Sequence, residues 1–466
     1  VGCEKLRCSG VFCFKNAGVK MIDLHETPEK VLKALENGEL RVALYGLGKM
    51  GLPLALVFAD KNARVVGVDV NADLVRKINS KEDVLPQEPG VKALLEKHAG
   101  KNLVATTDAS KAKADLHVII VPTLLTEREG TIVPDLSLVK AVSSSIAKVL
   151  EKGNAVVVEC TMPPGSTESL IPILDESGLK CGKDFGLGHA PERTMSGTAI
   201  RDITDRYPKI IGASDAKTLK SLEAIYSKIN SKGVVPVSNI RTAEAVKVFE
   251  GVYRDVNIAL ANELWQYSDA QGIDALEAFN AANTLPYSHI HTPGCGVGGH
   301  CIPYYPHFIM NGNTLVVKAA RATNESMPAK TVVLAEEELH KAGRMLAGSR
   351  ILVLGLAFRA GVKEFRKTPA KPIIDLLKKK GAFVRAFDPV CGEKDAKEFF
   401  GADEFSFDPE GMDCMIITTA DSAFTKLDWK KTLGQMRTKI VVDGRQAVDP
   451  KAVRAEKGVY RGIGRL

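Results

Sequence analysis

A thiol behind a run of glycines is the first feature with chemical content: Gly294-Cys295-Gly296-Val297-Gly298-Gly299-His300-Cys301-Ile302-Pro303. A cysteine thiolate is nucleophilic and its thioesters can be hydrolysed. Glycines such as Gly298 carry no Cβ to obstruct a ligand approaching the backbone. Upstream, Val42-Ala43-Leu44-Tyr45 runs straight into Gly46-Leu47-Gly48-Lys49-Met50-Gly51 and then into a helical stretch. This is the strand, turn and helix context that a dinucleotide-binding fingerprint requires. Gly46, Gly48, Met50 and Gly51 would close on a pyrophosphate at a helix N-terminus, whose unpaired N–H groups favour an anion. Asp69 falls 18 residues after Gly51, about where a carboxylate bonds the adenosine ribose hydroxyls. It would repel a 2′-phosphate, so NAD is expected rather than NADP. Thr123, closing the strand end Val121-Pro122-Thr123, is a candidate contact for the nicotinamide half. A nucleophilic thiol together with a hydride acceptor suggests oxidation through a thioester: a first hydride leaves an alcohol, and a second leaves the thiol adduct of the aldehyde.

A metal reading competes. His289, His291, Cys295, His300, Cys301 and His307 fall within nineteen positions, and imidazole and thiolate are the usual zinc ligands. No pair has the Cys-x2-4-Cys spacing of structural zinc sites, so the expectation is no metal.

These residues need a scaffold, and the alternation of short β-branched runs with helical stretches from Arg41 onward points to doubly wound α/β domains. The 466 residues exceed one compact core and should divide into about three units of roughly 100–200 residues. The expected parts are an N-terminal extension and short helix (1–40), a Rossmann domain (41–215), a central helical domain carrying the cysteine loop (216–341) and a second α/β domain (342–466). The stretch from Thr242 to Ala270 keeps apolar residues at three- and four-residue spacing. It predicts a helix of roughly 40 Å, long enough to bridge domains or pack on a partner subunit.

Composition excludes several classes. Hydrophobic residues are 45% and charged residues 26%, ordinary globular values. No apolar run approaches the ~18 residues of a membrane span. The net charge of +7 is spread along the chain without basic blocks, so no nucleic-acid partner is expected and an anionic small substrate suits it. Nine irregularly spaced cysteines argue against a secreted disulfide framework and for a reducing cytoplasm. Val1 to Lys20 lacks the apolar stretch of a signal peptide and reads as an upstream extension, with Met21 as the working start.

Together the motifs resemble the UDP-glucose/GDP-mannose dehydrogenase family, nucleotide-sugar dehydrogenases that oxidise C6 of the sugar to a carboxylate with two NAD. The signatures run in order: the Gly46 fingerprint, Thr161-Met162-Pro163-Pro164-Gly165-Ser166-Thr167, Ala190-Pro191-Glu192-Arg193, Glu244-Ala245-Val246-Lys247, the cysteine loop, Gly355-Leu356-Ala357-Phe358-Arg359, Asp443-Gly444-Arg445 and Tyr460 to Arg465. The resemblance implies Cys301 as nucleophile, Lys247 as the active-site lysine, Glu192 as the glutamate and Thr161 as the water-positioning threonine. It also implies a UDP-sugar in the C-terminal domain, with Arg359, Arg366 and Arg445 as candidate anion ligands, whose guanidinium forks match phosphate geometry. A homodimer or higher homo-oligomer through the central helix is implied as well. The His-Cys-Ile-Pro form of the loop is similar to the branch that acts on UDP-N-acetylmannosamine, with UDP-N-acetylglucosamine and UDP-glucose as alternatives.

Three positions depart from the commoner pattern. Tyr305 stands where an aspartate is usual, Gly251 where an asparagine is usual, and Tyr287 where the acetamido-sugar branch often has arginine. A two-electron hydroxyacid dehydrogenase and a nucleotide-sugar-binding protein without turnover are the remaining alternatives.

Overall fold

The computed structural model describes residues 21–466 except positions 129 and 311. The extension read over Val1 to Lys20 lies outside the described residues. The chain forms two compact units divided between Val248 and Phe249.

The first unit is built on an eight-stranded sheet of order β10-β9-β8-β7-β4-β1-β2-β3. Its strands are β1 (Arg41–Tyr45), β2 (Arg64–Val68), β3 (Leu103–Thr106), β4 (Leu116–Ile119), β7 (Ala155–Val158), β8 (Gly186–His189), β9 (Lys209–Ala213) and β10 (Val234–Pro236). A separate antiparallel hairpin, β5 (Leu124–Arg128) with β6 (Thr131–Asp135), follows β4. Successive side chains of a strand point to opposite faces. Val42 and Leu44 of β1 therefore enter one core while Ala43 and Tyr45 enter the other. Both faces are covered, as a doubly wound sheet requires. The helix Gly51–Asp60 is buried from Gly51 to Ala59, which its nearly continuous apolar sequence permits.

The second unit holds a six-stranded parallel sheet of order β13-β12-β11-β14-β15-β16. Its strands are β11 (Arg350–Leu354), β12 (Phe383–Phe387), β13 (Glu404–Phe405), β14 (Cys414–Ile417), β15 (Ile440–Asp443) and β16 (Val459–Gly462). Ile351 and Val353 face one core, and Leu352 and Leu354 the other. In chain order this sheet is 3-2-1-4-5-6, the dinucleotide-fold order, and β3-β2-β1-β4-β7-β8 of the first unit repeat it.

The first sheet is not parallel throughout: β9 runs antiparallel to β8, pairing Gly188 with Ala213. A chain that returns antiparallel needs no crossover helix, and an irregular loop with a short helical turn at Ala199–Arg201 joins the two strands. The short helix expected within residues 1–40 is Pro28–Glu36, with Pro28 at its start.

The long helix is Ile240–Ala270, and the division between the units falls inside it. The helices Ala275–Ala282 and Leu315–Lys341 follow. Among the described residues, no helix is long and apolar enough to cross a membrane.

Candidate active site

In the first unit the chemistry gathers at the carboxyl ends of the strands, where open α/β sheets bind ligands. Gly46, directly after β1, has φ +101°, and a Cβ there would sit 2.7 Å from Ile120 O. At Gly51 a Cβ would run into Gly46 O. Both glycines are therefore needed to close the turn, whereas Gly48 has open space above it, with no atom of the described residues within 4 Å of where its Cβ would be. Asp69 holds this turn from the end of β2: its Oδ2 accepts from Leu47 N at 2.8 Å and its Oδ1 from Asn71 N at 2.9 Å. Each carboxylate oxygen keeps a lone pair for a ribose hydroxyl. The residues present fit a dinucleotide: a bare turn for the pyrophosphate, a helix N-terminus behind it and a fixed carboxylate beside it. Met50 lies within this turn, and its sulfur accepts a 2.6 Å hydrogen bond from Thr194 Oγ1, tying the fingerprint to the loop that carries Glu192.

Thr123 Oγ1 donates to Thr161 O at 2.7 Å, so the loops after β4 and β7 are joined. Below Thr161 the segment Gly165–Thr167 is clamped by a carboxylate of the central helix. Glu244, fully buried, accepts from Gly165 N at 2.6 Å and from Thr167 N at 2.7 Å. Lys247 follows three residues later and so lies on the same side of the helix.

Glu192 sits in a buried ionic cluster. Its Oε1 accepts from Arg193 N at 2.7 Å and Thr194 N at 3.0 Å, and its Oε2 lies 3.0 Å from Lys209 Nζ. Lys209 also contacts Glu159 Oε2 at 2.5 Å, and Tyr226 OH donates to the other oxygen of Glu159. Burial pushes the Glu159 carboxyl up to about 7. For Glu192 burial acts in the same direction, but Lys209, Lys247 and the Arg193 N–H outweigh it and hold the group below the ordinary carboxylate range. Glu192 and Lys247 therefore sense each other's charge within this unit. Glu159, Lys209, Tyr226 and Glu244 were not singled out in the sequence. Glu159, the first charge after the buried run of β7, and Lys209, an isolated charge opening β9, were the available signals.

In the second unit the cysteine loop is fastened from several sides. Gly294 N donates to Asn262 Oδ1 at 2.8 Å, and Asn262 donates to Asn324 at 2.9 Å. Asn324 donates in turn to Asp255, which pairs with Arg321 at 2.5 Å. Cys295 N donates to Gly444 O at 3.0 Å, and Arg445 donates to Gly296 O at 2.8 Å and to Thr418 O at 3.0 Å. Two nitrogens of Arg445, a candidate substrate ligand, thus fasten the loop. A Cβ at Gly298 would stand 2.5 Å from Phe358 Cβ, and Gly299 N donates to Arg366 O at 2.8 Å. The cysteine loop therefore lies against the Gly355–Lys367 segment that carries Arg359 and Arg366. Both of those guanidinium groups are on exposed residues.

Cys301 begins a tight turn in which its carbonyl accepts from Tyr304 N and Tyr305 N, each at 3.0 Å. A side-chain hydrogen bond with Cys301 raises the His300 imidazole above its usual value, against the opposing effect of burial. Burial holds the other described thiols in their protonated form: Cys160 and Cys391 are pushed up to about 12, and Cys181, Cys295 and Cys414 also move upward. Among the described residues, no three His, Cys, Asp or Glu gather as a metal site. Tyr287 is 91% exposed. The departures at 251 and 305 turn out to be neighbours, since a Cβ at Gly251 would run into the Tyr305 ring.

Comparison with known proteins agrees with this layout. Residues 40–230 match the NAD binding domain of the UDP-glucose/GDP-mannose dehydrogenase family, residues 241–326 its central domain and residues 352–450 its UDP binding domain. The UDP-N-acetyl-D-mannosamine dehydrogenase of Pyrococcus horikoshii is 34% identical over 91% of this chain and 99% of its own, and its solved structure superposes with a TM-score of 0.83. An NDP-N-acetyl-D-galactosaminuronic acid dehydrogenase from Methanosarcina mazei is 30% identical, covering 96% of this chain and 98% of its own, with a TM-score of 0.81. A UDP-glucose dehydrogenase from Pyrobaculum islandicum is 29% identical, covering 92% and 98%, with a TM-score of 0.79. With the dinucleotide turn, the cysteine loop and both α/β sheets accounted for, this chain belongs to the UDP-glucose/GDP-mannose dehydrogenase family and is an NAD-dependent nucleotide-sugar dehydrogenase.

Proposed function

We propose that the chain oxidises C6 of UDP-N-acetyl-D-mannosamine to the uronate, UDP-N-acetyl-D-mannosaminuronate, in the reducing cytoplasm and through a thioester on Cys301. The observation that carries the thioester reading is the contrast among thiols. Burial holds the other described cysteines in their protonated form, while Cys301 shares a hydrogen bond with an imidazole that this bond makes more basic. Such a partner favours the nucleophilic thiolate. The relatives named for UDP-N-acetyl-D-mannosamine, from Pyrococcus, Methanococcus and Campylobacter, support the choice of sugar.

Bound NAD supplies the hydride acceptor for each two-electron oxidation, and the Gly46–Gly51 turn, Asp69 and Thr123 are the residues that would hold it. Loss of the first hydride from C6, together with release of its hydroxyl proton to solvent water, leaves an aldehyde. The Cys301 thiolate adds to that carbon, and the ammonium of Lys247 stabilises the resulting oxyanion. Loss of the second hydride leaves the thioester. Water positioned by Thr161 gives a proton to Glu192 as its oxygen bonds to the acyl carbon, and the thiolate departs. Arg359 and Arg366 are assigned to the diphosphate, and Gly298, whose missing Cβ leaves space that Phe358 fills rather than a ligand, is assigned to the sugar through its backbone alone.

The central helix suggests a homodimer. Phe249, Tyr253, Leu260 and Tyr267 are each 47–65% exposed, and their four- and seven-residue spacing puts them along one stripe of the helix.

A panel of UDP-N-acetylmannosamine, UDP-N-acetylglucosamine and UDP-glucose, read by NADH released per sugar and by product mass, tests the reading. Two NADH and the uronate from the mannosamine derivative are expected. One NADH, or turnover confined to another sugar, would overturn it.

A further inference from the structure

Glu159, Lys209 and Tyr226 surround Glu192 without a part in the scheme above. We infer that Lys209 is a positioning residue that keeps Glu192 ionised with one lone pair open to water, and that Glu159 is the counter-anion that retains the ammonium when Glu192 takes its proton. The inference rests on Glu192 acting as the base for thioester hydrolysis.

The hydrogen-bond inventory identifies the open position. An ionised carboxylate offers about four acceptor sites. Glu192 Oε1 receives two backbone N–H groups, and Oε2 receives Lys209. Among the described residues, one site on Oε2 is left for a water proton, beside the ammonium. A small cavity lined by Glu192, Lys209, Tyr226, Tyr207 and Asn230 adjoins this group.

The charges explain why both carboxylates are needed. Glu159 is fully buried, and the side chains of Glu192 and Lys209 are 8% and 10% exposed. A buried ion left without its partner is strongly disfavoured, so Lys209 cannot serve Glu192 alone and then lose its counter-charge when Glu192 is protonated. The distances are asymmetric: Lys209 Nζ stands 2.5 Å from Glu159 and 3.0 Å from Glu192. Glu159 is thus the closer partner, and Tyr226 OH donates to its other oxygen. Burial and the neighbouring Glu192 charge push the Glu159 carboxyl up to about 7; once water has transferred a proton to Glu192 that repulsion is gone, Glu159 ionises more readily beside Lys209, and no charge is stranded.

The other titratable groups facing the cluster do not supply a replacement cation. His189, at the end of β8, is held neutral, pushed down to about 3 by burial and by the Lys209 charge. Tyr207 donates its hydroxyl to Arg193 O at 2.5 Å, and the Arg193 guanidinium stacks over the Tyr207 ring. Lys247 contributes to the field at Glu192, but in the proposed scheme its charge belongs to the oxyanion.

The test compares wild type with Lys209→Gln, Lys209→Arg and Glu159→Gln by rapid quench across pH, reading the first NADH formed and the acid released as separate events. Lys209→Gln should slow acid release by about 10²-fold, the scale of general base catalysis, and move the acidic limb of that step to higher pH. Formation of the first NADH should stay nearly unchanged. Lys209→Arg should restore most of the acid release. Glu159→Gln should move the acidic limb the opposite way, because the ammonium then serves Glu192 alone. If Lys209→Gln fails to fold, judged by loss of NAD binding, the Glu159→Gln profile decides: a downward shift supports the inference and an unmoved limb overturns it. Equal slowing of both events in folded Lys209→Gln also overturns it. Wild type that releases acid alongside unmoved variant profiles removes this inference alone, whereas wild type that releases no acid removes the base role of Glu192 and the inference with it.

Discussion

Tyr305 is packed against Gly251, so closely that a Cβ on the glycine would run into the ring at Cδ2 and stand 2.9 Å from Cγ and 3.0 Å from the tyrosine Cβ. Both residues lie in the second unit, Gly251 on the central helix and Tyr305 at the end of the Cys301 turn. These are two of the positions that the sequence reading set apart from the family's commoner pattern. The two departures are therefore one coupled change: the ring needs the space that glycine leaves. Tyr305 N also donates to Cys301 O, so the placement of the ring and of Cys301 are linked through one turn.

Gly251→Ala should destabilise the protein by about 1–3 kcal/mol, the usual cost of overpacking, and lower kcat by about tenfold or more as the turn shifts. Gly251→Asn combined with Tyr305→Asp should cost less than the sum of the single changes. Calorimetric melting temperatures and kcat for the three variants check the coupling.

Asp69→Ala removes the acceptor that holds Leu47 N at 2.8 Å and the charge that repels a 2′-phosphate. A lost hydrogen bond to a charged group is worth about 1.5–3 kcal/mol, so KM for NAD should rise by about tenfold or more while the preference over NADP narrows. Initial rates with both dinucleotides provide the check.

Acid should destabilise the first unit through its buried histidines. Burial pushes His117 down to about 4 and His189 to about 3, whereas in the unfolded chain each titrates near 6.5. Between those values the unfolded state binds the extra proton. Each histidine's contribution is thus fully present above about pH 6.5 and is lost as pH falls toward the folded value, by up to about 1.4 kcal/mol per pH unit. Denaturant midpoints measured against pH should show this slope, and His117→Gln should reduce it.

Tyr267, 65% exposed on the central helix, should lie in the homodimer contact. Tyr267→Glu should shift the sedimentation coefficient toward the monomer, because burying an unpaired charge in an interface is costly. An unchanged coefficient would place the contact elsewhere.

The cofactor turn was legible because its residues are consecutive: Gly46 to Gly51 follow a buried strand and open a helix, and both flanking elements announce themselves by local pattern. The central helix was legible for the same reason, its observed start lying two residues before the expected one. The Glu159–Lys209–Glu192 cluster was not, since its members are separated by 17 and 33 residues and meet only when β7 and β9 are assembled. Arg445 read as a phosphate ligand because guanidinium suits phosphate, and nothing local reveals that Gly296 O and Thr418 O occupy two of its nitrogens. The reversal of β9 was equally hidden, because a strand's own pattern does not record its direction. Tyr305 and Gly251 each read as a lone departure, and their fit depends on a turn meeting a helix 54 positions away.

The central claim is a covalent acyl enzyme at Cys301. Glu192→Gln, which should slow release of the acyl group, is quenched in acid during turnover with UDP-N-acetylmannosamine and NAD, and the peptide carrying Cys301 is weighed. A mass increase equal to the UDP-sugar acyl group is expected on that peptide, absent in Cys301→Ser, which forms no uronate. An unmodified peptide, with full uronate production by Cys301→Ser, would contradict it.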